Sequence, residues 1–152
     1  PRSKNSNYRS VLNNLLNNKI KSKIKFEPLI DRSNTLEENL IKYSKKIPTS
    51  IDLLVLTLGD DGHIASLFPD DTRILEKKRK MIITKEPQKK KKRVSITQKI
   101  IKNSANTVVL VPGAKKGNML GKMKYNKTIP GNFILDGKWL LNKSAYNAFR
   151  KY

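Results

Sequence analysis

The sequence has no cysteine and a single histidine, His63. A disulfide scaffold and a Cys-ligated zinc site are therefore impossible. A site built from several imidazoles is excluded as well, and the residues call for neither a metal nor an organic cofactor. No apolar run approaches the ~20 residues of a transmembrane helix, and the first residues are too polar for a signal peptide. A cytoplasmic protein with no membrane partner is the expectation. Acidic residues are scarce: 12 Asp+Glu stand against 33 Lys+Arg, for a net charge of +21. Aromatic residues make up only 7%. They are not interleaved with the basic run 89–93, as stacking platforms for bases would have to be.

The charge excess raises nucleic acid as a partner. A competing explanation lies in the kind of charge. The cations are mostly Lys and travel with Asn, as at Asn13, Asn14, Asn17 and Asn18. An A/T-rich coding sequence produces that mixture on solvated surfaces. A basic nucleic-acid module thus rests on charge alone, which speaks against specific nucleic-acid binding.

Local patterns give an α/β layered fold, Rossmann-like, with a mostly parallel sheet flanked by helices. Val11, Leu12, Leu15 and Leu16 make a helical stripe over residues 6–18, capped by Ser6 or Asn7. Residues 24–30 read as extended, interrupted by Pro28. Thr35 and Glu38 form a capping box for a helix through Lys46, with Leu36, Leu40, Ile41 and Tyr43 apolar. Leu12, Leu15 and Leu40 are expected in the core. The run 51–58 is too short for a helix and predicts a strand buried on both faces. Thr107–Val111 predicts a second such strand, residues 80–84 and 93–97 weaker ones, and Lys138–Leu141 a last one. Ala114–Met123 reads as a helix that Gly117 and Gly121 weaken. Ser144 is the expected cap of a final helix through Tyr152.

The chemistry concentrates in residues 58–69, LGDDGHIASLFP, directly after the first strand. In open α/β sheets ligands bind beyond the carboxyl ends of the strands. Gly59 and Gly62 permit tight turns and close approach to a ligand. An imidazole is the side chain type whose ordinary pKa lies near neutrality, so His63 is the natural general base. Asp61, two residues earlier, is placed to fix its tautomer and stabilise the imidazolium. The alternative for each is plain: a hydrogen-bonded surface histidine, and turn-forming aspartates. Neither an EF-hand, a P-loop nor a GxSxG elbow fits this stretch.

Residues 51–69 resemble the signature of the 6-phosphogluconolactonase family: an apolar strand, a Gly-containing turn, Asp-Gly-His, then Ala-Ser-Leu-Phe-Pro. Related glucosamine-6-phosphate isomerases share Asp-Gly-His but continue toward Asn-Glu-Pro, so Ser66 to Pro69 favours the lactonases. The Ser6-Asn7-Tyr8-Arg9 segment, the run from Arg93 to Thr97, the turn Gly113 to Lys116 and the stretch from Trp139 to Ala145 resemble further family segments in the same order. Where the family usually carries Asp in the last of these, this chain has Asn142. Family members are longer, with a phosphate-binding turn and an Asp-Glu-Arg loop in their N-terminal part. Residues 1–152 thus resemble a single incomplete domain.

The resemblance implies hydrolysis of 6-phosphogluconolactone to 6-phosphogluconate in the oxidative pentose phosphate pathway. His63 would activate the water with Asp61 in support, and backbone N–H groups around Gly62 to Ile64 would meet the developing oxyanion. It implies a phosphorylated sugar lactone as partner, held by Arg93 and Lys116, with Arg9, Asn7 and Gly62 as further contacts. For each cation the alternative is a solvated surface charge, and for Asn7 a helix cap. A fused or associated glucose-6-phosphate dehydrogenase domain is a further partner of some family members. The rival reading within the fold is a sugar-phosphate isomerase or deaminase, which wants an acid shortly after the histidine.

Overall fold

The computed structural model describes residues 6–16, 23–31, 33–88 and 90–152, and the chain separates into two units, residues 1–43 and 44–152. In the first unit, Ser6 rather than Asn7 caps helix α1 (Asn7–Asn14), accepting the Arg9 N–H at 3.1 Å. The helix ends earlier than the apolar stripe predicts. The N–H groups of Leu15 and Leu16 both reach back to the Val11 carbonyl, closing the last turn. Leu16 is consequently buried, while Leu15 is 64% exposed and not a core residue. Asn17 and Asn18 lie outside the described residues. Tyr8 stacks on Phe26 with ring centroids 5.2 Å apart.

The capping box of α2 (Leu36–Lys46) forms as expected: Glu38 accepts the Thr35 N–H at 2.7 Å, and the Thr35 hydroxyl accepts the Glu38 N–H at 3.2 Å. The bond from the Thr35 N–H, followed by that from its hydroxyl, holds the Glu38 carboxyl below its ordinary pKa.

The second unit is built on a three-stranded parallel sheet in the order β1 (Leu54–Thr57), β4 (Thr107–Val111), β5 (Lys138–Leu141). Between β1 and β4 the chain makes an antiparallel hairpin of β2 (Met81–Lys85) and β3 (Lys92–Ile96), then α3 (Gln98–Asn103). Between β4 and β5 lies α4 (Ala114–Met123), and α5 (Lys143–Phe149) follows β5. Parallel neighbours require such crossovers, so β1, β4 and β5 give a mixed α/β architecture.

One face of the sheet builds the core. Leu54, Val109 and Val111 pack with Leu58, Ile64, Leu67, Met123, Ile129, Ile134 and Ala145. The other face corrects the expectation of strands buried on both sides. Val55, Leu110 and Leu140 are 54%, 38% and 57% exposed. Leu110 and Leu140 are register partners, and among the described residues β1 is an edge strand. The apolar run had the composition of a covered strand, but no element described in the second unit covers that face.

The glycines of α4 also differ from expectation. A Cβ at Gly117 would stand 2.7 Å from the Ala145 Cα and carbonyl carbon, and one at Gly121 would stand 2.5 Å from the Tyr152 ring. They are where α4 closes on α5 and the C-terminal residues, and they serve packing. The cap of α5 is Asn142, not Ser144. Asn142 Oδ1 accepts the Ala145 N–H at 3.0 Å, and the Ser144 hydroxyl itself donates to that oxygen. The helix ends at Phe149, short of Tyr152.

Candidate active site

β1 runs directly into a loop that folds back on itself. Leu58 and Ile64 form an antiparallel bridge, and Ile64 pairs in turn with Leu67. Within this frame the Gly59 N–H donates to the His63 carbonyl at 2.8 Å, and the Gly62 N–H donates to the Gly59 carbonyl at 3.1 Å. The sharp reversal needs Gly62, whose φ is +88°. Leu58, Ile64 and Leu67 are fully buried, so the loop is anchored by core side chains at its root.

That anchoring fixes His63. Its ring Nδ1 lies 2.6 Å from Asp61 Oδ1, and the same oxygen accepts the His63 backbone N–H at 3.1 Å. A carboxylate only accepts, so Nδ1 carries a proton, and in the neutral ring Nε2 keeps the lone pair. Phe68 packs against the imidazole, centroids 4.9 Å apart and tilted by 50°. The His63 side chain remains 32% exposed and that of Asp61 41%, so the pair is accessible from solvent.

A hairpin holds the far side of the loop. The Ser95 hydroxyl on β3 accepts the Ser66 N–H at 3.1 Å, and the Thr84 hydroxyl on β2 donates to the Ser66 carbonyl at 2.8 Å. Both hairpin side chains are buried. Two residues before Ser95 stands Arg93, whose Nε and Nη2 both donate to Glu86 Oε2, at 2.9 and 2.5 Å. Lys116, on the first turn of α4, donates to the Leu58 carbonyl and lies 3.7 Å from Asp60 Oδ1. The turn that carries it is tied down by Asn142, whose Oδ1 accepts the Gly113 N–H at 3.0 Å.

The structure thus brings Asp61 and His63 into contact and seats Lys116 at the root of their loop. Arg93 lies on the hairpin that supports the loop, engaged by Glu86. Arg9 and Asn7 belong to the first unit, both exposed on α1, with the Arg9 N–H donating to the Ser6 cap. Gly62 is buried, with the side chain of Ile129 where a Cβ would project. Its part is conformational. The expected oxyanion donors are also revised. The N–H groups of Gly62, His63 and Ile64 are spent within the loop, on the Gly59 carbonyl, Asp61 Oδ1 and the Leu67 carbonyl.

Sequence reasoning missed Ser95, Thr84, Glu86, Phe68 and Asn142 as supports of the site. Only Asn142 carried a local signal, as a cap-forming residue directly after a strand.

Comparison with known proteins places this loop in a wider group. The family described as glucosamine-6-phosphate isomerases/6-phosphogluconolactonase matches residues 1–141. The chain belongs to this family. Over 93 residues it is 30% identical to a 6-phosphogluconolactonase of Chlamydia muridarum, a match that covers 60% of this chain and 36% of that protein. Over 67 residues it is 36% identical to the GDH/6PGL endoplasmic bifunctional protein of Oryctolagus cuniculus, covering 44% of this chain and 8% of that one. The crystal structure of a 6-phosphogluconolactonase from Thermotoga maritima superposes with a TM-score of 0.75 at 26% identity, covering 93% of this chain and 67% of that chain. The match thus spans little more than a third of the Chlamydia protein. Among the described residues, no helix of this family member is long and apolar enough to cross a membrane.

Proposed function

We propose that the chain carries the catalytic loop of a 6-phosphogluconolactonase, hydrolysing the lactone to 6-phosphogluconate in the pentose phosphate pathway. The observation that carries this reading is the Asp61–His63 pair on the loop that leaves the C-terminal end of β1. The names of the relatives support the substrate class.

In this reading His63 Nε2 takes a proton from water as its oxygen attacks the lactone carbonyl carbon. The imidazolium that forms is stabilised by Asp61 at Nδ1. Collapse of the tetrahedral intermediate breaks the bond from the carbonyl carbon to the ring oxygen, and His63 returns the proton to that oxygen. The N–H groups of Gly62, His63 and Ile64 are engaged within the loop, so the developing oxyanion is met by another donor. The Lys116 ammonium, seated against Leu58 and beside Asp60, is the cation in place for that. Arg93 meets the phosphate once it exchanges Glu86 for the substrate.

The rabbit bifunctional relative supports a proposal about partners: the product of an adjoining glucose-6-phosphate dehydrogenase would be handed to this domain as substrate. The experiment for the reaction measures lactone hydrolysis and amino-sugar deamination side by side, for the protein and for His63→Ala. Hydrolysis that disappears in the variant is expected. Near-unchanged kcat in His63→Ala, or deamination in place of hydrolysis, would overturn the assignment.

A further inference from the structure

Gly59 lies directly across the loop from the catalytic candidate. Its N–H donates to the His63 carbonyl, which fixes the two residues face to face. A Cβ built on Gly59 would overlap the imidazole, 2.7 Å from Cγ and closer still to Nδ1 and Cε1. Gly59 has no positive φ, so its backbone conformation is one that alanine could adopt. The reason for glycine here is therefore not the turn. Nor is it close approach of a ligand, since the space is already filled by His63.

We infer that Gly59 is a positioning residue for His63: its missing side chain is the space in which the imidazole sits while Nδ1 reaches Asp61. Three contacts then define the ring. Asp61 takes Nδ1, Phe68 packs against the ring, and the bare Cα of Gly59 provides the clearance. A methyl group at residue 59 cannot share that volume, so the ring must rotate about its side-chain bonds or the loop must open. Either motion breaks the 2.6 Å contact with Asp61 and releases the tautomer it enforces. The consequence for catalysis rests on the proposed role of His63, but the consequence for the ring itself does not.

His63 is the only histidine in the sequence, so its ring nitrogens give an unambiguous NMR signal. The experiment records the ¹⁵N tautomer signature of His63 in the unmodified protein and in Gly59→Ala, together with thermal stability. The same stability comparison is made in the His63→Ala background. The unmodified protein should show the proton on Nδ1, and Gly59→Ala should lose that preference. Its kcat for the lactone should fall by ~10²-fold, the penalty of a misplaced catalytic group, with KM less affected. Gly59→Ala should lower Tm when His63 is present and leave it nearly unchanged when residue 63 is alanine. If Gly59→Ala alone does not fold, recovery of folding in the double variant supports the inference equally. An unaltered tautomer in Gly59→Ala, or the same loss of stability in both backgrounds, overturns it. A changed tautomer with no lactonase activity in the unmodified protein would leave the positioning role standing and remove the reaction instead.

Discussion

A single carboxylate oxygen, Asp61 Oδ1, holds His63 at two points, its backbone N–H at 3.1 Å and its ring Nδ1 at 2.6 Å. The backbone bond shapes the turn; the ring bond sets the tautomer. Asp61→Asn keeps an acceptor for both bonds and removes the charge. An amide oxygen still accepts the backbone N–H, so Tm should hold. It carries no charge to stabilise the imidazolium, so kcat should fall by ~10²- to 10⁴-fold. Steady-state kinetics together with a melting curve tests both halves. A kcat within a few-fold of the unmodified protein would show that the Asp61 charge is not needed to stabilise the imidazolium.

Gly117 lies under α5, where a Cβ would press on the Ala145 main chain. Ordinary helix propensity favours Gly→Ala in mid-helix by about 1 kcal/mol. Here the obstructing atoms are backbone and cannot swing aside. Gly117→Ala should therefore destabilise the protein by about 1–3 kcal/mol, the usual cost of overpacking. Urea denaturation decides the sign, and a more stable variant would show that α4 and α5 can separate at no cost.

Gly117 also marks how far the sequence could be read. Features set by neighbours along the chain were legible. A cap at Ser6 or Asn7, the Thr35–Glu38 capping box, the apolar strands and the loop carrying Asp61 and His63 all follow from local spacing. Features set by distant partners were not. Nothing in the run 51–58 reveals that Val55 stays exposed, because that depends on what covers the sheet. Nothing around Gly117 tells a helix breaker from a helix contact. Arg93 was legible as a cation but not as the partner of Glu86, which only the β2–β3 register brings near. Ser144 and Asn142 are both cap-formers, and the choice between them depends on where β5 ends.

Asn142 Oδ1 accepts three hydrogen bonds, two from α5 and one from the turn before α4. It caps α5 at Ala145, holds the Gly113 turn that leads to Lys116, and accepts the Ser144 hydroxyl. An aspartate supplies the same oxygen with a charge suited to a helix N-terminus. Asn142→Asp should be as stable as the parent or slightly more so. Asn142→Ala should cost about 1–2 kcal/mol, at the upper end for a lost cap because the Gly113 N–H loses its partner too. Chemical denaturation of both variants provides the check. A negligible effect of the alanine would mean that water replaces the amide at no cost.

Arg93 does not stand free for an anion. Its Nε and Nη2 both bind Glu86 Oε2, and its side chain is 42% exposed while that of Glu86 is 14% exposed. If Arg93 receives the substrate phosphate, Glu86 competes with it. Partly solvated pairs of this kind are worth about 0.2–1 kcal/mol, so the competition is modest. Glu86→Gln should lower KM for the phosphorylated lactone by up to ~5-fold, the equivalent of 1 kcal/mol. It should leave kcat unchanged. The gain should shrink as salt is raised, since salt screens the charge that was removed. Arg93→Ala should raise KM and abolish the effect of the Glu86 change, because the two act through one contact. The opposite result, a KM that rises in Glu86→Gln, would carry a different meaning: the carboxylate would then be aiming the guanidinium rather than occupying it, and the pair would bind phosphate together through Arg93 held in place.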